Sequence, residues 1–209
     1  MIAMDDPCAF SPGAKHARQI AAFFASMYAP GSTILDIGFG QGFFLDAAAR
    51  VGVNAIGLDR DERLVSAASK RGLRAIHGEV ESFDYSTLGV PVDGVMMSHL
   101  VEHLTPGSVA TIFDKLATEM RSGAIVIIVT PNMADLRVAT QWFWMDPTHL
   151  RPYPAFAVRA LASEASWLWE AQGYEPIPFT RRTPLTWLNR ARFGSDYGRS
   201  GCWYRLRTR

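Results

Sequence analysis

The chain has 209 residues, 48% of them hydrophobic and 20% charged, with a formal net charge of +1. That is enough apolar content for one sizeable core, and the balance of charge gives no reason to expect a nucleic-acid partner. Two cysteines, Cys8 and Cys202, are too few for a disulfide framework, no C-x-x-C pair suggests structural zinc, and no apolar run approaches the roughly 20 residues of a membrane span. The start of the chain, with Asp5-Asp6-Pro7, has no basic stretch followed by an apolar signal segment, so a cytoplasmic protein is expected.

Residues 1–12 read as poorly structured, and 13–28 as an amphipathic helix with Ala17, Ile20, Ala21, Phe24 and Met27 on one side, expected to cap the ligand side. A buried strand over 33–37 then enters Leu35-Asp36-Ile37-Gly38-Phe39-Gly40-Gln41-Gly42, followed by a helix that stops near Gly52. Glycines allow a sharp turn and let a ligand approach the main chain without a Cβ in the way. A dinucleotide loop wants G-x-G-x-x-G, but here Gly42 comes one position early and Phe43 stands in its place. Asp36 at the end of the strand would repel a pyrophosphate and attract a cation. An ordinary glycine-rich strand-helix turn is the alternative.

At these residues the sequence resembles the class I S-adenosylmethionine-dependent methyltransferases, whose first motif is an acid followed by G-x-G-x-G. The resemblance implies that Asp36, Gly38, Phe39, Gly40 and Gly42 hold S-adenosylmethionine, a ligand carrying an ammonium and a sulfonium.

A second strand over 53–59 ends in Asp59, 23 residues after Asp36, where nucleoside-binding sheets place an acid for ribose hydroxyls; Arg60 follows it. Asp59 could instead cap the helix over 61–71, a role Asp61 could equally take. A third strand over 73–77 runs into Gly78-Glu79-Val80-Glu81. The resemblance implies adenine contacts here, from the Glu79 carboxylate and the Val80 backbone. Glu79 stands where the family usually has Asp, and a solvated loop acid is the alternative.

A fourth strand over 92–98 leads into Ser98-His99-Leu100-Val101-Glu102-His103-Leu104, and then into a helix with Thr105 as N-cap and Pro106 at its first position. Similar stretches in the family put Ser98 and His99 beside the methionine end of the cofactor. The letters also spell H-x-x-E-H, an inverted metalloprotease motif, but that motif belongs inside a long helix, and here it follows a strand and precedes a proline. After Gly123 the apolar run 124–130 reads as a central strand, buried on both faces.

Residues 133–154 are expected to form a loop, neither helix nor strand, carrying Trp142-Phe143-Trp144-Met145-Asp146-Pro147-Thr148-His149. An Asp-Pro-Thr-His stretch resembles that of a bacterial methyltransferase subgroup linked to glycan and small-molecule O-methylation. The resemblance makes His149 the first candidate general base for an acceptor hydroxyl, with Asp146 orienting it and His99 as the second candidate. Equally, Asp146 could cap the turn and His149 tie the loop down. Asp146, His149, His99 and Glu102 could converge on a metal, but methyl transfer from a sulfonium needs no Lewis acid on the donor, and no metal is expected.

A helix over 154–173, a sixth strand over 174–179, an arginine-rich crossover over 181–201 and a last strand over 202–207 complete the chain. The resemblance implies that the last strand inserts antiparallel between the fifth and sixth. Trp187, Arg190 and Arg192 could line the acceptor mouth, and the arginines could bind a phosphate-bearing acceptor or form a solvated edge. The expected fold is α/β, a doubly wound, mostly parallel seven-stranded sheet in a single domain over 1–209. Within it, 1–30 would be an N-terminal segment, 31–132 the cofactor half and 133–209 the acceptor side. The expected function is methyl transfer from S-adenosylmethionine to a hydroxyl of a sugar, glycan or other small acceptor. N- or C-methylation, RNA methylation and a non-catalytic cofactor-binding scaffold are the alternatives, and nucleic acid is not the expected partner.

Overall fold

The computed structural model describes residues 14–176 and 199–209. The expectations for 1–12, for Trp187, Arg190 and Arg192, and for most of the arginine-rich crossover lie outside these residues. Five helices, α1 (Ala14–Ala25), α2 (Phe43–Arg50), α3 (Glu62–Lys70), α4 (Pro106–Glu119) and α5 (Ala155–Glu164), flank a seven-stranded sheet. Its strands are β1 (Thr33–Ile37), β2 (Asn54–Asp59), β3 (Ala75–His77), β4 (Gly94–Ser98), β5 (Ile125–Pro131), β6 (Leu168–Tyr174) and β7 (Gly201–Arg207). Their order is β3-β2-β1-β4-β5-β7-β6, parallel from β3 to β5, with β7 antiparallel to both β5 and β6. This is the expected architecture.

The unbroken apolar runs of β1, β4 and β5 follow from burial on both faces. The strand pleat sorts them: Leu35, Ile37, Val95, Met97, Val126 and Ile128 pack on the face covered by α4 and α5. Ile34, Met96, Ile127 and Val129 pack on the other face with Phe24 and Phe44. The buried side of α1, Ile20, Ala21, Phe24 and Ala25, belongs to this second layer beside α2, so α1 covers a sheet face. The Tyr28 hydroxyl fixes the chain after it by donating to the Val95 carbonyl at 2.7 Å.

Two segments differ from expectation. Residues 133–154 are not wholly irregular: Val138–Trp142 forms one π-helical turn and Phe143–Met145 one 3-10 turn. The helix expected to reach residue 173 stops at Glu164, and residues 168–174 are strand instead. Ser166 adopts a left-handed φ of 64°, which breaks the helix, and Trp167 turns inward to donate its indole N–H to the Phe113 carbonyl at 3.1 Å. The expected strand over 174–179 therefore lies too late in sequence; only Tyr174 belongs to β6, and 177–179 are outside the described residues.

The strand order reverses direction between β1 and β4. In such sheets the ligand crevice opens at the carboxyl ends of the two strands where connections diverge. That places the glycine loop after β1 next to the Ser98–His99 turn after β4.

Candidate active site

The loop after β1 is built on three glycines at φ 68° (Gly38), 54° (Gly40) and 74° (Gly42), a region that favours glycine strongly. Phe39 does not face a ligand. Its ring turns down onto Gly57 of β2, where a Cβ would stand 2.5 Å from Phe39 Cδ1, so Gly57 makes room for the aromatic underside of the loop. With Phe39 buried, only its backbone is on the ligand side. A Cβ on Gly40, by contrast, would meet nothing within 4 Å, so the loop crest faces open space.

Two carboxylates stand behind this crest. Asp36 is 2% exposed, and burial, reinforced by the charge of Asp59, raises its pKa from 3.8 to about 8. Asp59, half-buried, accepts from the Gly40 N–H at 3.1 Å and from the Asp61 N–H at 2.9 Å, so it steadies the glycine loop while keeping lone pairs for a ligand. The helix-cap role falls to Asp61, which accepts from the Arg63 N–H at 2.9 Å. Arg60 is exposed, and its carbonyl accepts from His77 Nε2 at 2.9 Å. Beyond β3, Glu79 is exposed and the Val80 side chain is buried in the core.

The turn after β4 is the most charged part of the site. His99 has φ 52°, left-handed in a non-glycine residue, which reverses the chain and swings its imidazole between two buried acids. Nδ1 lies 3.1 Å from Glu102 Oε1 and Nε2 lies 3.3 Å from Glu175 Oε1. Desolvation lowers its pKa, but the hydrogen bonds and charges of Glu175 and Glu102 prevail and raise it from 6.5 to about 10. Both ring nitrogens therefore act as donors, and no lone pair is left for proton abstraction.

Glu175 was not singled out in the sequence. It follows β6, is 7% exposed, and fits only because Gly201 has no Cβ, which would stand 2.2 Å from Glu175 Oε2. No sequence pattern marks it: an acid between Tyr174 and Pro176 carries no motif. Glu102 is wholly buried; its other oxygen lies 3.4 Å from the Thr130 hydroxyl.

The segment after β5 comes back over this turn. The Glu102 carbonyl accepts from Leu150 N–H at 2.8 Å and from Arg151 N–H at 3.4 Å. Asp146 Oδ1 accepts from the backbone N–H of Thr148 at 2.8 Å and from its hydroxyl at 2.6 Å, an Asx turn. His149 Nδ1 donates to the Phe143 carbonyl at 2.7 Å, and the ring stacks against Phe143 and His103. In the structure Asp146 caps the turn and His149 ties the loop down through Nδ1, contacts that belong to the second of the two roles open from sequence and leave His149 Nε2 out of them. The same loop leaves Trp142, Trp144, Met145 and Leu150 exposed.

A methyltransferase-domain family matches residues 13–177. The chain belongs to that family. By structure the enzyme is similar to a SAM dependent methyltransferase from Archaeoglobus fulgidus, at 20% identity over 91% of this chain and 94% of that one, with a TM-score of 0.73. It is also similar to magnesium protoporphyrin IX methyltransferase from Synechocystis PCC 6803 with bound SAH, at 14% identity over 93% and 82% of the two chains, TM-score 0.62. Mitomycin 7-O-methyltransferase matches at 18% identity over 92% of this chain and 54% of that one, TM-score 0.64. None of the curated proteins matches the sequence.

The methyltransferase uses S-adenosylmethionine, and its site fits that cofactor. Three left-handed glycines leave the loop crest free of side chains, and the cationic groups of the cofactor are opposite in charge to Asp59 and to the ionised form of Asp36. Among the described residues no helix is long and apolar enough to cross a membrane.

Proposed function

We propose that the enzyme transfers the methyl group to a hydroxyl of a sugar, glycan or other small-molecule acceptor that enters under the loop carrying Asp-Pro-Thr-His. The observation that carries this reading is the set of rings and apolar chains left exposed on that loop, with Trp144 61% and Leu150 56% exposed, anchored through Glu102 to the turn that holds His99. Flat apolar side chains beside a line of polar groups suit a small acceptor better than a polymer groove. The name of mitomycin 7-O-methyltransferase, a structural relative, describes the same type of transfer.

Bound S-adenosylmethionine supplies an electrophilic methyl on a sulfonium. On this reading Asp36 answers its positive charge, Asp59 meets the ribose, the Glu79–Val80 segment the adenine, and Ser98 and His99 the methionine end. His99, committed to two carboxylates, holds the wall of the site and is not the base. His149 and Asp146 position the acceptor loop. The acceptor oxygen takes the methyl as the methyl's bond to sulfur breaks, and the hydroxyl proton passes to solvent; most of the rate then comes from holding two reactants in line, an effect worth up to about 7–11 kcal/mol.

The test is turnover on an acceptor panel of free sugars, nucleotide sugars, phenols and amines, with the methylated atom identified by NMR. Methylation of oxygen on hydroxyl-bearing acceptors is expected; turnover confined to amines or carbon acids would overturn the reading. Trp144→Ala is expected to raise the acceptor KM several-fold and leave cofactor affinity unchanged, checked by calorimetry with SAH. Equal KM values in the two proteins would remove this loop from acceptor binding.

A further inference from the structure

We propose that Glu102, His103 and His149 form a site for one divalent transition-metal ion of the zinc type, set between the turn after β4 and the Asp-Pro-Thr-His loop. One ligand atom from each of the three lies within 4.8 Å of the others, although His149 is 46 residues away from His103 in sequence. Two imidazoles and a carboxylate are a donor set that zinc and its neighbours accept, at about 2.0–2.2 Å per bond.

The hydrogen bonds around the two histidines prepare both rings for this role. The Thr148 hydroxyl gives its proton to Asp146, so at 2.8 Å from His103 it accepts, which puts the His103 proton on Nδ1. His149 Nδ1 likewise carries the proton it donates to the Phe143 carbonyl. In each ring the lone pair is left on Nε2. A ligating histidine whose other nitrogen donates to a fixed acceptor is the usual arrangement at metal centres, because that bond sets both tautomer and ring direction. Here a backbone carbonyl serves one ring, and an Asp146–Thr148 pair serves the other.

The carboxylate is prepared too. Glu102 is wholly buried, with one oxygen on His99 and the other near Thr130, and each oxygen keeps a lone pair. Asp146 Oδ2, which the Asx turn does not use, lies 3.9 Å from His149 Nε2 as a further oxygen on that side. The expectation of a metal-free site rested on the donor chemistry, since a sulfonium needs no Lewis acid; that argument does not bear on an ion that ties two segments together. The ion would staple the acceptor loop to the post-β4 turn, and three protein ligands leave a position for an oxygen of water or acceptor. This inference does not depend on the chemical nature of the acceptor.

Zn²⁺ and Co²⁺ are to be titrated into the metal-stripped full chain, with affinity read by chelator competition and geometry by the visible absorption of Co²⁺. One ion per chain, with Kd below about 1 μM, is expected, weakened at least 100-fold in His103→Gln while SAH binding persists. Binding no tighter than about 100 μM, or equal affinity in wild type and His103→Gln, would overturn the site. If a ligand variant no longer binds SAH, Thr148→Val is read instead. It removes the hydroxyl that orients His103, along with the bond that hydroxyl gives Asp146, and leaves all three ligands in place; second-shell losses run about 10–100-fold, so at least tenfold weakening supports the site and unchanged affinity sinks it.

Discussion

Asp36 shows how a binding site stores cost in the empty protein. Its pKa is about 8 in the fold against 3.8 in an unfolded chain, so between those limits the folded state holds a proton that the unfolded state has released. Stability from this group is therefore full below about pH 4 and is lost as pH rises through 8. Asp36→Asn is expected to flatten that slope, making the ligand-free variant more stable than wild type at pH 8.5 and similar at pH 4 in urea melts. The same change is expected to weaken S-adenosylmethionine binding at least tenfold. An ionised Asp36 is the form that attracts the cofactor, so binding near pH 7 should release a proton, visible in calorimetry as a heat that depends on the buffer. A wild-type slope retained in the variant would show that another group titrates. At the neighbouring strand, Gly57→Ala would push Phe39 off its seat, since the new Cβ falls 2.5 Å from Cδ1 and 3.0 Å from Leu45 Cδ1. A loss of about 1–3 kcal/mol is expected in denaturant melts, together with weaker cofactor binding, because the loop rests on that ring.

At the scale of elements, three helices end in the same way. In α2, α3 and α5 the residue after the cap is left-handed: Gly52, Gly72 and Ser166. In each case the next N–H, from the sixth residue of the motif, reaches back to the carbonyl of the first: Val53 to Ala48, Leu73 to Ala68 and Trp167 to Ala162. Where glycine stands, the end is visible in sequence, and both α2 and α3 were placed to within a residue or two. Where Ser166 stands it is not, and the helical reading ran on to Gly173. Ser166→Gly is therefore expected to raise stability by about 1 kcal/mol in thermal or urea melts, since the left-handed cost disappears and no contact is lost. No gain would mean that the Ser166 side chain makes up for its backbone. The same contrast explains the site. Asp36, the glycines and Asp59 sit at strand ends with fixed offsets, and these were legible. Glu175, Thr130 and the inward turn of Phe39 depend on which strands become neighbours, and local pattern holds no record of that.

On the scale of the whole molecule, repeated β-α units specify a parallel sheet with its crevice where β1 and β4 part, and this much could be read directly. The acceptor side could be read only in its letters. Asp146 and His149 stood out by residue type, whereas their bonds to Thr148 and Phe143, and the Glu102 carbonyl that takes the Leu150 N–H, could be seen only in the folded loop. The arrangement of β7 has a further consequence, concerned with time. It is made after the other six strands of the sheet, yet it lies between β5 and β6 and supplies the ladder to both. During synthesis β5 therefore waits with an open, largely apolar edge and β6 without β7 beside it, until residue 207 is free to enter the gap. Open edges of this kind invite pairing with other chains. A nascent chain stalled before residue 200 should stay protease-sensitive and bind holdase chaperones, while release of the full length should close the sheet in one cooperative step. Protection of β5 in the stalled chain would show that the parallel half completes itself alone.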